Sequence, residues 1–60
     1  MRNLKRIRRN QGYSLKDLSI KANISRSYIS EIENLKKNPS LTTAKKLADA
    51  LNTTIDELIK

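Results

Sequence analysis

Apolar residues recur along this chain every three or four positions, and nowhere do they alternate with polar ones in the two-residue rhythm of a strand. Leu4 and Ile7 are the inward pair of a first helix over roughly residues 2 to 10. Leu15, Leu18 and Ala22 form a second stripe, and Ile29 and Ile32 a third, with Ile24 placed to plug the angle between them. Leu41, Ala44, Leu47, Ala48 and Leu51 share one face of a fourth helix, and Ile55, Leu58 and Ile59 fall on a short fifth. The pattern predicts an all-α fold, a compact bundle of five short helices.

The breaks between stripes carry their own signals. Gly12 stands where a glycine commonly ends a helix. Ser14 followed by Asp17 is a capping-box pair, and Tyr13 with Leu18 has the spacing of a hydrophobic staple. Asn23 tolerates the left-handed conformation that a tight turn between helices requires. Ser25 caps the third helix, Leu35 to Asn38 form a connector, and Pro39 stops any helical continuation. Ser40 caps the fourth helix, Asn52 closes it, and Thr54 with Glu57 repeats the capping-box pattern. No internal repeat or linker divides the chain, so residues 1–60 are expected to form one domain.

Composition narrows the function. Sixty residues bury a small core, and without Cys or His neither a disulfide nor a Cys/His zinc site supplements it. The absence of Cys suits a reducing compartment. No apolar run is long enough to cross a bilayer, and no signal-peptide stretch follows the basic N-terminus. The formal net charge is +7, concentrated early: eight basic residues from Arg2 to Arg26 meet only Asp17. Such an excess favours a polyanionic partner.

The third helix gives that partner a face to meet. At about 100° per residue, Ile29 and Ile32 point inward while Arg26, Ser27, Ser30, Glu31 and Asn34 point outward. A recognition helix enters the major groove N-terminal end first, where Arg26 stands. A guanidinium donates in parallel to O6 and N7 of a guanine, worth about 1–3 kcal/mol of discrimination. Ser27 and Ser30 suit bases or phosphates. Glu31 either accepts from a cytosine amino group or repels phosphate in wrong registers. A solvated amphipathic surface would show the same polarity, so the capped helix and tight turn ahead of it carry the weight.

In the order of these segments the chain resembles the phage-repressor and Cro type of helix-turn-helix domain, the lambda-repressor-like or xenobiotic-response-element family. The residues are Arg8 through Gly12 to Tyr13-Ser14, the framework Leu18, Ala22, Ile24, Ile29 and Ile32, then SRSYISEIE, NPSL and NTTIDELI. The resemblance spans nearly the whole chain and places the helix-turn-helix core at about 14–34. It implies base contacts from Arg26, Ser27 and Glu31, with Ser30 close by. It implies backbone contacts from Ser14, Ser25 and Asn34, and from Lys36 and Lys37 in the following loop, helix N-termini being favourable for phosphate. It implies that Arg8 and Glu33 pair structurally, tying the first helix to the third. Tyr28 has two readings, packing beneath the connector and bonding phosphate through its hydroxyl, with packing leading.

The chain departs from the family at four positions. Leu15 stands where Gln usually anchors a phosphate, leaving Ser14 and Lys16 as partial replacements. Ser19 and Asn23 replace the usual Ala and Gly, and Leu35 stands where Gly is common, either against Tyr28 or exposed.

The function so implied is sequence-specific binding of double-stranded DNA by a transcriptional regulator, a repressor that binds a palindromic operator as a homodimer. Ile59 is the leading interface residue among Leu51, Ile55, Leu58 and Ile59. The expected setting is the cytoplasm, on a bacterial nucleoid, for a bacterial or phage-encoded protein. The alternative is a protein-interaction module of the same fold, antitoxin- or coactivator-like. RNA binding is disfavoured by having only Tyr13 and Tyr28 for stacking, and membrane binding by the narrow apolar face of residues 2 to 10. No catalytic constellation, metal site, cofactor motif or small-molecule ligand is evident, so an enzyme is not expected.

Overall fold

The computed structural model describes Met1–Lys60 and contains five helices and no strand. They are α1 (Leu4–Asn10), α2 (Leu15–Ala22), α3 (Arg26–Glu33), α4 (Leu41–Ala50) and α5 (Ile55–Ile59). The molecule measures 20 × 20 × 19 Å. α2 packs against α3 and α4, while α5 joins α4 to α1. The inward stripes meet in one core, where Leu4, Leu18, Ile29, Ile32, Leu47, Leu51 and Leu58 are fully buried. Each such side chain contributes about 1.5–3 kcal/mol of burial. Ile7, Leu15 and Ile55 pack at its margin, half-buried.

Helices this short are unstable alone, and their ends are closed with care. Ser14, Ser25, Ser40 and Thr54 each accept a bond from the amide three residues on. At Ser14 the box is reciprocal: Asp17 Oδ2 accepts from the Ser14 amide at 3.0 Å and Ser14 Oγ accepts from the Asp17 amide at 3.0 Å. At Thr54 only half of the expected box forms, because the Glu57 carboxylate turns to Lys60 Nζ at 3.4 Å. Four helices end on a residue in the left-handed region: Gly12 (φ 78°), Asn23 (57°), Leu35 (60°) and Asn52 (53°). In each case the following amide donates back into the last turn, as Lys36 N does to Glu31 O at 2.9 Å. Leu35 is the costly member, a branched side chain in a conformation that suits glycine, and it is exposed rather than packed on Tyr28.

Three sequence expectations are corrected. α1 begins at Leu4, not residue 2, because Asn3 is spent on a distant partner. Its amide donates to Leu58 O at 3.0 Å and its Nδ2 to Glu57 O at 2.9 Å. Leu41 is 78% exposed, since it opens α4 at the margin of the stripe and the five-residue α5 covers that stripe only further on. Gln11, unremarked in the sequence, donates Nε2 to Leu51 O at 2.7 Å. Side-chain amides at both ends of α1 thus satisfy carbonyls at the ends of α4 and α5, and no buried side-chain polar atom lacks a partner.

Candidate nucleic-acid interface

α3 is the best-determined element because both of its long sides are used. Its apolar side sinks Ile29 and Ile32 into the core. Its C-terminal end is fixed by Glu33, whose carboxylate accepts from Arg8 Nε at 2.6 Å and Nη2 at 3.2 Å. The same guanidinium donates Nη1 to Tyr13 O at 2.7 Å. Both side chains are more than nine-tenths buried. One arginine therefore clamps three pieces of chain: α1, the entry to α2 and the end of α3. A buried pair of this kind costs about 3–5 kcal/mol to break from one side, since the survivor is left uncompensated.

The turn between α2 and α3 sets the projection of the outer side. Asn23 adopts φ 57° and ψ 48°, and the Ile24 amide donates to Ser19 O at 3.1 Å. Ser25 Oγ then accepts from the Tyr28 amide at 3.1 Å and starts α3 at Arg26. Leu15 of α2 and Arg26, Ser27, Ser30 and Glu31 of α3 line one open concavity of about 530 Å³. The four α3 residues of the expected base-reading set thus share a single groove wall, with Leu15 opposite.

Their side chains differ in freedom. Arg26 joins none of the three ion pairs, which are Arg8–Glu33, Lys37–Glu31 and Lys60–Glu57. Ser27 is exposed, and Ser30 Oγ accepts a long bond of 3.4 Å from Asn34 Nδ2. Glu31 faces Lys37 Nζ at 3.6 Å, which offsets its charge within the groove. Lys37 is thereby drawn toward α3, while Lys36 and Lys16 are exposed. Tyr28 is half-buried against the core, in line with packing as its leading role.

The N-terminus of α2 is less open to an anion than its sequence suggests. The capping box occupies the Ser14 amide and brings the Asp17 carboxylate to the helix end. Hydrogen bonds from the Ser14 amide and hydroxyl, with a smaller contribution from Lys16, hold that carboxyl below its ordinary value, so it stays ionised. With Leu15 beside it, this corner offers a phosphate mainly the Ser14 hydroxyl and Lys16. The Ser14–Asp17 signal was visible in the sequence; its cost to anion binding becomes plain once the bonds are placed. No three His, Cys, Asp or Glu residues cluster to hold a metal ion, and no helix is long and apolar enough to cross a membrane.

Comparison with known proteins agrees with this geometry. A family model described as helix-turn-helix matches residues 4–58. The chain is 39% identical over 57 residues to the HTH-type transcriptional regulator SinR of Bacillus subtilis, covering 93% of this chain and 51% of that protein. It is 37% identical over 57 residues to the regulator DdrOP3 of Deinococcus deserti, covering 95% and 44%. It is 38% identical over 56 residues to the immunity repressor protein of Bacillus phage phi105, covering 93% and 39%. The chain thus spans about half the length, or less, of these curated relatives. Among solved structures, the N-terminal DNA binding domain of SinR from Bacillus subtilis superposes with a TM-score of 0.88 at 34% identity, covering 97% of this chain and 86% of that one.

Proposed function

The chain belongs to the helix-turn-helix family, and from that premise we propose that it binds double-stranded DNA sequence-specifically as the DNA-reading domain of a transcriptional repressor. The whole of residues 1–60 is one domain in this reading, and Ser14 to Asn34 its helix-turn-helix core. The observation that carries it is the α3 groove: Arg26 stands at the helix's N-terminal end with no internal ion-pair partner, on a helix whose other side is locked. α3 lies in the major groove. Arg26 reads a guanine edge, Ser27 and Ser30 adjust the register, and Glu31, leashed by Lys37, discriminates against wrong bases. Ser14, Lys16, Ser25, Tyr28, Asn34, Lys36 and Lys37 flank it toward the phosphates.

Two copies bind a palindromic operator with their α3 helices about 34 Å apart. The exposed Leu41 and Ile59, which border a groove with Met1, Pro39 and Ile55, favour pairing through the α4–α5 side. Occupancy of a promoter then excludes polymerase. The setting is the bacterial cytoplasm, where the duplex is found.

Selection of bound sequences from a random duplex pool tests this. The expected result is an enriched palindrome, lost in Arg26→Ala with the fold intact. A pool that stays random contradicts the reading and favours the protein-interaction alternative.

A further inference from the structure

The α3 groove accounts for little of the chain's positive charge. Lys5, Arg6 and Arg9 lie on the side of α1 opposite Leu4 and Arg8, which face the core and Glu33. Arg2, in the turn ahead of the helix, joins them around a shallow concavity of about 410 Å³ that also includes Asn10 and no apolar residue. It shares no residue with the α3 groove.

Nothing in the chain neutralises this face. Of six acidic residues, Glu31, Glu33 and Glu57 pair with Lys37, Arg8 and Lys60, and Asp17 closes its capping box. Asp49 and Asp56 form no ion pair. α1 has no acidic residue in its first turn, and Lys5 and Arg9 sit one turn apart as like charges. Both features weaken a short helix, each by a few tenths of a kcal/mol. A helix that keeps two unfavourable choices on one exposed side is shaped by something it meets there.

We infer that this face of α1 is a second nucleic-acid contact, taking the phosphate backbone without regard to sequence and separate from the α3 groove. Basic side chains one helical turn apart, about 5.4 Å, suit a row of phosphodiesters. The apolar residues of α1, Leu4 and Ile7, turn inward, so the helix has nothing to insert into a lipid layer. The inference does not depend on α3 reading bases.

The test is the salt dependence of binding to random-sequence duplex DNA, measured on the full chain. The variant replaces Arg2, Lys5, Arg6 and Arg9 with Gln, and both proteins are also compared in an Arg26→Ala background. Each lost phosphate contact lowers the slope of log affinity against log salt by about 0.9. The expected loss is about three to four in slope, the same in both backgrounds, while a variant with Lys at all four positions keeps the original slope. A thermal melt verifies folding. If the Gln variant melts early, backbone amide shifts of the wild-type chain titrated with the same duplex decide instead, with perturbation of residues 5, 6 and 9 expected. An unchanged slope in a folded variant, or unperturbed α1 amides, overturns the inference. So does binding to vesicles containing phosphatidylserine that the Gln variant loses while its DNA slope is unchanged.

Discussion

The two sides of α3 treat their charged residues in opposite ways. On the inner side the Glu33 carboxylate is buried, held by two nitrogens of Arg8, and anchored through Tyr13 O to the start of α2. On the outer side Arg26 is exposed and joins no ion pair, and Glu31 has only a loose, exposed contact with Lys37. An exposed pair of that kind is worth about 0–1 kcal/mol, against about 3–5 for breaking the buried one. Two arginines on so small a domain therefore do different work. Arg8 is committed to holding α3 still, and Arg26 is left with unspent hydrogen bonds on a helix that does not move.

The comparison breaks most visibly at Arg8. Arg8→Ala or Glu33→Ala is expected to destabilise the domain by about 3–5 kcal/mol, enough to unfold much of a marginally stable chain at 37 °C; urea denaturation measures it. A loss below about 1 kcal/mol would place the clamp among ornamental surface pairs. Arg26→Ala should do the reverse. It should leave the melting temperature within about 1 °C, as surface substitutions do, and weaken binding to the selected DNA about 5- to 150-fold, the equivalent of about 1–3 kcal/mol.

Leu35→Gly touches neither side and should sharpen the contrast. Glycine relieves the left-handed φ of 60° and little packing is lost from an exposed Leu. A gain of about 1 kcal/mol in stability, with DNA affinity unchanged, is expected from equilibrium unfolding.

The smallest effect lies at Asp17, where the two roles meet. Its carboxyl is held below the ordinary 3.8 by the Ser14 bonds, so folding favours the ionised form. Its stabilising contribution is complete above that ordinary value and is lost as pH falls through the lowered one. Asp17→Asn should flatten that acid limb of the stability profile and, by removing a negative charge beside the expected phosphate position, tighten DNA binding slightly. A variant that weakens DNA binding would remove Asp17 from the account of the α2 corner.

How far the sequence spoke for itself differed with the range of the interaction. The caps at Ser14, Ser25 and Ser40, the left-handed turn at Asn23 and the inward isoleucines of α3 depend on residues within a turn or two of each other, and a one-dimensional pattern contains them. The grouping of Arg26, Ser27, Ser30 and Glu31 on one wall follows from helical periodicity alone. Asn3 and Gln11 were illegible because their partners lie 54 and 40 residues away, and an amide in a polar N-terminal run carries no mark of its target. Leu41 misled for the converse reason: periodicity names a face, but the length of the neighbouring helix decides how much of that face is covered. The Arg8–Glu33 clamp spans 25 residues, and it was reached through family resemblance rather than through any local signal.

The central claim is that Arg26, carried on an immobile α3, reads a guanine from the major groove. Methylation interference on the selected duplex addresses it directly, because a methyl group on guanine N7 blocks one of the two acceptors a guanidinium uses. The account predicts that methylating one guanine in each half-site abolishes binding by the wild-type chain and makes no further difference to Arg26→Ala. Equal sensitivity of both proteins to that methyl group, or sensitivity of neither, would contradict it.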